Sequence, residues 1–191
     1  MLQNLEIRNS LLVWFVDTIN FNFMDWAYFH IVINHFPIVG AIIGSLLLLA
    51  GLVFRNQGVN LSGLGTIVFS ALTAFLAYLT GDPAKDVLQG LPEVTENLVN
   101  RHEDIATIGM YLLIPAGLMA AMSFYSVLKK ERSSHFLIII TLVLSLISSA
   151  TMVYVGRTGG LIRHSEFRSD TEKQTSNGHQ NGKSEEDELN H

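Results

Sequence analysis

WAYFHIVINHFPIVGAIIGSLLLLAGLVF, running from Trp26 to Phe54, contains no Asp, Glu, Lys or Arg. A helix needs about 20 mainly apolar residues to cross a bilayer core, and this run exceeds that length. Three more charge-free runs follow, Asn56–Gly81, Ile105–Leu128 and Ser133–Gly156. Soluble helices usually keep a polar face; these do not. As helices, all four satisfy their own backbone hydrogen bonds, which lipid demands. The chain therefore reads as an all-α, polytopic membrane four-helix bundle with the lipid bilayer as its first partner.

The spans are expected at Tyr28–Phe54, Leu61–Leu79, Arg101–Leu128 and Ser134–Val155. Pro37 falls near the start of the first, where a missing N–H costs least, and Pro115 predicts a kink in the third. Gly40, Gly44 and Gly51 on the first span, and Ser70, Ala74 and Ala77 on the second, are small enough for close helix approach. An acidic loop, Asp82–Asp104, joins the second and third spans, with a short helix opening at Pro83. Gly156–Gly160 reads as a loop or a loosened last turn. Residues 1–27 read as an interfacial segment carrying Trp14, Phe15, Phe21, Phe23 and Trp26 at headgroup depth. Residues 165–191 have almost no apolar content and read as a disordered polar tail. The bundle proper is 28–164.

Composition removes several function classes. The absence of cysteine excludes disulfides, thiolate metal sites and thiol nucleophiles. The net charge of −5 and the lack of a basic stripe exclude nucleic acid as a partner. The start of the chain has no basic run and no small-residue cleavage site, so it does not read as a signal peptide. The two short turns hold Arg55, Lys129, Lys130 and Arg132 within few residues. The other side carries Arg8, Lys85, Arg101, Arg157, Arg163 and Arg168, diluted in longer acidic segments. Density assigns the turns to the cytoplasm. The expected location is a bacterial inner membrane, with both termini on the periplasmic side.

An even number of spans places His30, His35, His102 and His164 at one membrane face, with Asp82 beside them. His135 falls at the other face, and His179 and His191 in the tail. His30 and His35 are separated by about 140° of rotation and about 7.5 Å of rise on a helix, so they cannot aim at one spot. His35 is the deeper and is expected to face the interior. His30 is the shallower, suited to water or a haem propionate. His102 opens the third span, and Gly159-Gly160 is expected to fold His164 back over the bundle. Imidazole suits haem iron and also non-haem metals. Haem needs two facing imidazoles and a flat slot, which Gly40, Gly81 or Gly109 could make. A non-haem metal ion would draw several histidines together with Asp82, Glu103 or Asp104. Interfacial histidines also cap helices or bond backbone.

The stretch His30-Ile-Val-Ile-Asn-His35-Phe-Pro37 resembles the opening motif of the DUF2231 type, a family of small four-helix bacterial membrane proteins. Tyr78-Leu-Thr-Gly-Asp-Pro-Ala-Lys-Asp-Val-Leu88, Leu91-Pro92-Glu93-Val94 and Arg101-His102-Glu103-Asp104 are similar to the loop of one branch. Gly159-Gly160-Leu-Ile-Arg-His164 resembles its ending. The likeness covers about Asp25 to Glu166 and puts His30, His35, His102 and His164 on motif histidines. It implies b-type haem but no particular activity. The aromatic start and the polar tail depart from the pattern. The reading of the whole is a membrane protein that binds haem b through this cluster and transfers electrons to a redox partner. The alternatives are a non-haem metal-binding membrane protein and a non-catalytic membrane subunit of a larger complex.

Overall fold

The structure is a computed structural model that describes residues 26–88 and 94–168. The interfacial reading of the first 25 residues, the Leu91-Pro92 break and the tail beyond Arg168 lie outside the described residues. Helix α1 is Trp26–Val53, α2 is Gln57–Leu79, α3 is Gly81–Leu88, α4 is Glu96–Leu128 and α5 is Ser134–Arg163. A 3-10 turn at Ser165–Phe167 follows. Helices α1, α2, α4 and α5 are long and apolar enough to cross a membrane. The short α3 opens with Pro83 in its first turn, as expected.

Each long helix packs on two others: α1 on α2 and α5, and α4 on α2 and α5. Small residues permit this. A Cβ on Gly63 would sit 2.8 Å from the backbone nitrogen of Leu48 and 3.0 Å from the carbonyl of Gly44, so α1 and α2 touch backbone to backbone. Gly117 rests on Ala71 where α2 meets α4. Gly109 rests on Met152 where α4 meets α5. Hydroxyls join the faces, as Ser45 to Ser149 at 3.1 Å and Ser123 to Thr141 at 2.8 Å. These hydroxyls also lie within hydrogen-bond reach of the carbonyl a turn earlier on their own helices, which satisfies them inside the apolar bundle. Ser70, Ala74 and Ala77 are all buried.

Helix limits differ from the sequence reading in instructive ways. Helix α1 starts at Trp26, two residues before the expected Tyr28, so Pro37 lies inside the span about three turns from its start. The regular ladder is interrupted at Asn34 and resumes at His35. That position fits the missing proline N–H and the crowding of its ring on the preceding turn. Pro115 lies inside α4, which stays helical on both sides of it. Helix α5 runs eight residues past Val155 and takes in Gly156, Gly159 and Gly160, where a loop was expected. Three glycines cost a helix about 3 kcal/mol in propensity; packing of this end against α4 offsets that, with Ile162 buried beside Leu98 and Val99.

Both short turns close the same way. After α1, Asn56 N–H bonds Gly51 O at 2.9 Å and Arg55 N–H bonds Leu52 O at 3.3 Å. After α4, Glu131 N–H bonds Ser126 O at 3.0 Å and Lys130 N–H bonds Val127 O at 3.1 Å. This paired closure needs a left-handed residue, usually glycine. Here Arg55 (φ 52°) and Lys130 (φ 55°) occupy it. Asn56 then caps α2 by accepting from Val59 N–H at 3.2 Å.

The described residues continue past Ser165, where the polar tail was expected to begin, as far as Arg168. Arg168 is buried and donates from Nε to Leu161 O at 2.9 Å and from Nη2 to Ile162 O at 2.8 Å. It caps carbonyls at the end of α5 that no later helical N–H reaches.

Candidate functional site

The start of α1 meets the end of α2, and the start of α4 meets the end of α5. Each meeting holds one imidazole. His30, half-buried on α1, has Nδ1 2.9 Å from Ala77 O and 3.1 Å from Thr80 Oγ1. A carbonyl only accepts, so Nδ1 carries the hydrogen. The Thr80 hydroxyl donates to Leu76 O and Ala77 O, which leaves its lone pairs to receive from the histidine.

His102, half-buried on α4, has Nδ1 3.0 Å from Thr158 Oγ1. Thr158 is buried and donates its own hydrogen to Val155 O at 2.9 Å, so it too accepts from the imidazole. In both residues the hydrogen sits on Nδ1 and the lone pair on Nε2. His30 and His102 lie within electrostatic range of each other.

Glycine shapes the space around the two rings. A Cβ on Gly159 would stand 3.1 Å from His102 Cε1 and 3.5 Å from its Nδ1. One on Gly81 would stand 3.9 Å from His30 Cε1. Gly40 and Gly109, the other two slot candidates, are occupied instead by Ser70 and by Met152 with Val155.

The other two histidines stand apart. His35 is exposed on the outer side of α1 and donates from Nδ1 to Ile31 O at 2.8 Å. The five-residue spacing does send His30 and His35 to different faces, but the inward member is His30, the reverse of the sequence expectation. Depth along the chain suggested His35; rotation about the helix, set by which face carries Pro37, Gly40 and Gly44 into α2, decides for His30. His164 ends α5 exposed, with Nδ1 2.9 Å from Glu166 Oε1. It is not folded back, because Gly159-Gly160 is helix and not a turn. His135 is exposed at the start of α5, at the far end of the spans.

Neither Asp82 nor Glu103 makes a described hydrogen bond to His30 or His102. Glu103 Oε2 pairs with Lys85 Nζ at 2.7 Å, tying α3 to α4. That hydrogen bond holds the Lys85 ammonium above its ordinary pKa. Asp82 is exposed in the first turn of α3. Among the described residues no three or more His, Asp or Glu side chains gather as a metal-holding group. Arg101, expected as a propionate partner, donates to Tyr154 Oη at 2.9 Å.

Sequence reading missed Thr80, Thr158 and Ala77 as partners of the histidines. Their only signal was position: each lies at the end of a span whose neighbour begins with a histidine. No family model, curated protein or solved structure matches this chain.

Proposed function

We propose that the chain is a multi-pass protein of a bacterial inner membrane, a four-helix bundle that holds b-type haem on His30 and His102 and passes electrons to a redox partner. One observation carries the reading: both imidazoles are pinned through Nδ1–H, and each leaves an Nε2 lone pair with no protein partner described. Holding one ring nitrogen by a hydrogen bond sets the orientation and basicity of the other as a ligand.

The donor set fits haem better than a protein-ligated ion. A porphyrin brings four nitrogens and asks the protein for one or two axial ligands. Structural zinc asks for four protein donors and catalytic zinc for three, and the nearest carboxylate, Glu103, is engaged by Lys85. Glycine at 81 and 159 leaves the ring faces free of side-chain bulk. Haem, when bound, supplies the one-electron couple. The chain's own residues orient the two Nε2 atoms, exclude lipid from them and hold the protons at Nδ1. The motifs around His30 and His102 are those that resemble the DUF2231 pattern. Basic density in the turns favours the periplasmic side for this end of the spans.

The test is an absorption spectrum of detergent-purified protein, oxidised and dithionite-reduced. A Soret band that His30→Ala and His102→Ala each abolish or shift, and that His35→Ala and His164→Ala each leave in place, is the expected result. Bound metal without a Soret band indicates a non-haem ion, and neither indicates a membrane subunit without chemistry of its own. Retention of the spectrum in both His30→Ala and His102→Ala overturns the assignment of ligands.

A further inference from the structure

At the end of the spans opposite the histidines, an open groove of about 390 Å3 lies between α4 and α5 on the outer surface of the helices. Ala121, Met122, Tyr125 and Leu137 make its apolar wall, and Ser126 and Glu131 its polar end. Helix α4 ends at Leu128, so the polar end lies where the span leaves the hydrocarbon. Tyr125 is a typical interfacial residue at that depth.

The charges at the mouth are specific. Glu131 Oε2 accepts from Ser126 Oγ at 2.8 Å and from Ser133 Oγ at 3.4 Å. No partner is described for Oε1. Lys129 Nζ stands over the Tyr125 ring, 5.6 Å from its centroid, which places a cation on the rim of the same groove. Lys130 and Arg132 lie in the same turn and are exposed.

We propose that this groove binds a phosphatidylethanolamine molecule. Its primary ammonium donates to Glu131 Oε1, its phosphate faces Lys129, and one acyl chain lies along Ala121, Met122 and Leu137. The paired charges single out this headgroup. A purely anionic lipid is attracted by Lys129, Lys130 and Arg132 but has no ammonium to donate to Glu131 Oε1. Phosphatidylcholine carries the same two charges, yet its quaternary nitrogen has no hydrogen to donate to a carboxylate.

Native mass spectrometry of the full chain in detergent, titrated separately with phosphatidylethanolamine, phosphatidylcholine and phosphatidylglycerol of matched acyl chains, reads this directly. The ethanolamine lipid should be retained about tenfold more strongly than the choline lipid, a difference in the range of one charge-assisted hydrogen bond. Glu131→Gln should erase that preference. Because Glu131 also closes its turn, Met122→Trp serves as the second variant: Met122 is 58 % exposed, so the change fills the groove without touching the turn. It should reduce retention of the ethanolamine lipid in a protein of unchanged thermal stability. Equal retention of ethanolamine and choline lipids, stronger retention of phosphatidylglycerol, or a full ethanolamine preference in both variants overturns the proposal.

Discussion

Arg168 is the residue whose removal tests the packing of the α5 end most directly. The residue is 5 % exposed, and its guanidinium reaches two carbonyls, Leu161 O at 2.9 Å and Ile162 O at 2.8 Å. A hydrogen bond from a charged donor contributes about 1.5–3 kcal/mol. Water at a helix end recovers part of that, and the cation also complements the negative end of the helix dipole. Arg168→Ala should therefore cost about 3 kcal/mol, which for a chain of this size lowers Tm by roughly 6–12 °C. Arg168→Lys should recover only part of it, since one ammonium does not match a planar fork set against two carbonyls. The assay is thermal unfolding of detergent-purified protein followed by circular dichroism. Two truncations bracket the claim: a chain ending at Glu166 lacks the cap, and one ending at Asp170 keeps it. The first should melt clearly below the second. If Arg168→Ala melts with the parent protein and the two truncations coincide, the arginine cap contributes nothing and the docking of Ser165–Arg168 is not a stabilising contact.

Gly159→Ala should separate stability from site. Alanine gains about 1 kcal/mol of helix propensity over glycine, yet its Cβ would meet the His102 ring at 3.1 Å, a ring that Thr158 holds in place. Haem content measured from the Soret band should fall while Tm does not; a fall in Tm with haem retained would contradict this. Gly63→Ala should lower Tm, because its Cβ runs into the backbone of Leu48 and Gly44, which cannot rotate away; overpacking of this kind costs about 1–3 kcal/mol. Arg55→Gly should raise stability by about 0.5–1 kcal/mol by relieving a left-handed residue, read as a small upward shift in Tm. Reporter fusions at Gln57 and Glu131 should report one side of the membrane and fusions after Arg168 the other; disagreement between Gln57 and Glu131 would refute four spans.

The four charge-free runs and their lengths were enough to locate four helices long and apolar enough to cross a membrane, because lipid leaves an apolar chain few alternatives to a helix that bonds its own backbone. The small residues at 40, 44, 70, 74 and 77 marked faces that do pack. Sequence also placed His30 and His102 at the same end of the spans, since that follows from the parity of the spans alone. What it did not settle was rotation. Whether His30 or His35 turns inward depends on which side of α1 meets α2, and every side of that helix is apolar, so no polar stripe announces the outward face. The same uniformity hid Thr80 and Thr158: a threonine at a span end looks identical in sequence whether it bonds only its own helix or also receives an imidazole from the next. Gly159-Gly160 misled because local propensity favours a turn there, while contact with α4 pays for the helix. Arg168 misled because its neighbours in sequence are polar, and only the end of α5 supplies the carbonyls that bury it. The histidines, their threonine partners and the α5 end were decided between helices, by contacts 47 to 56 residues apart for the two histidines, and Arg168 by a chain reversal onto its own helix six and seven residues back; local sequence pattern carries no instruction for either.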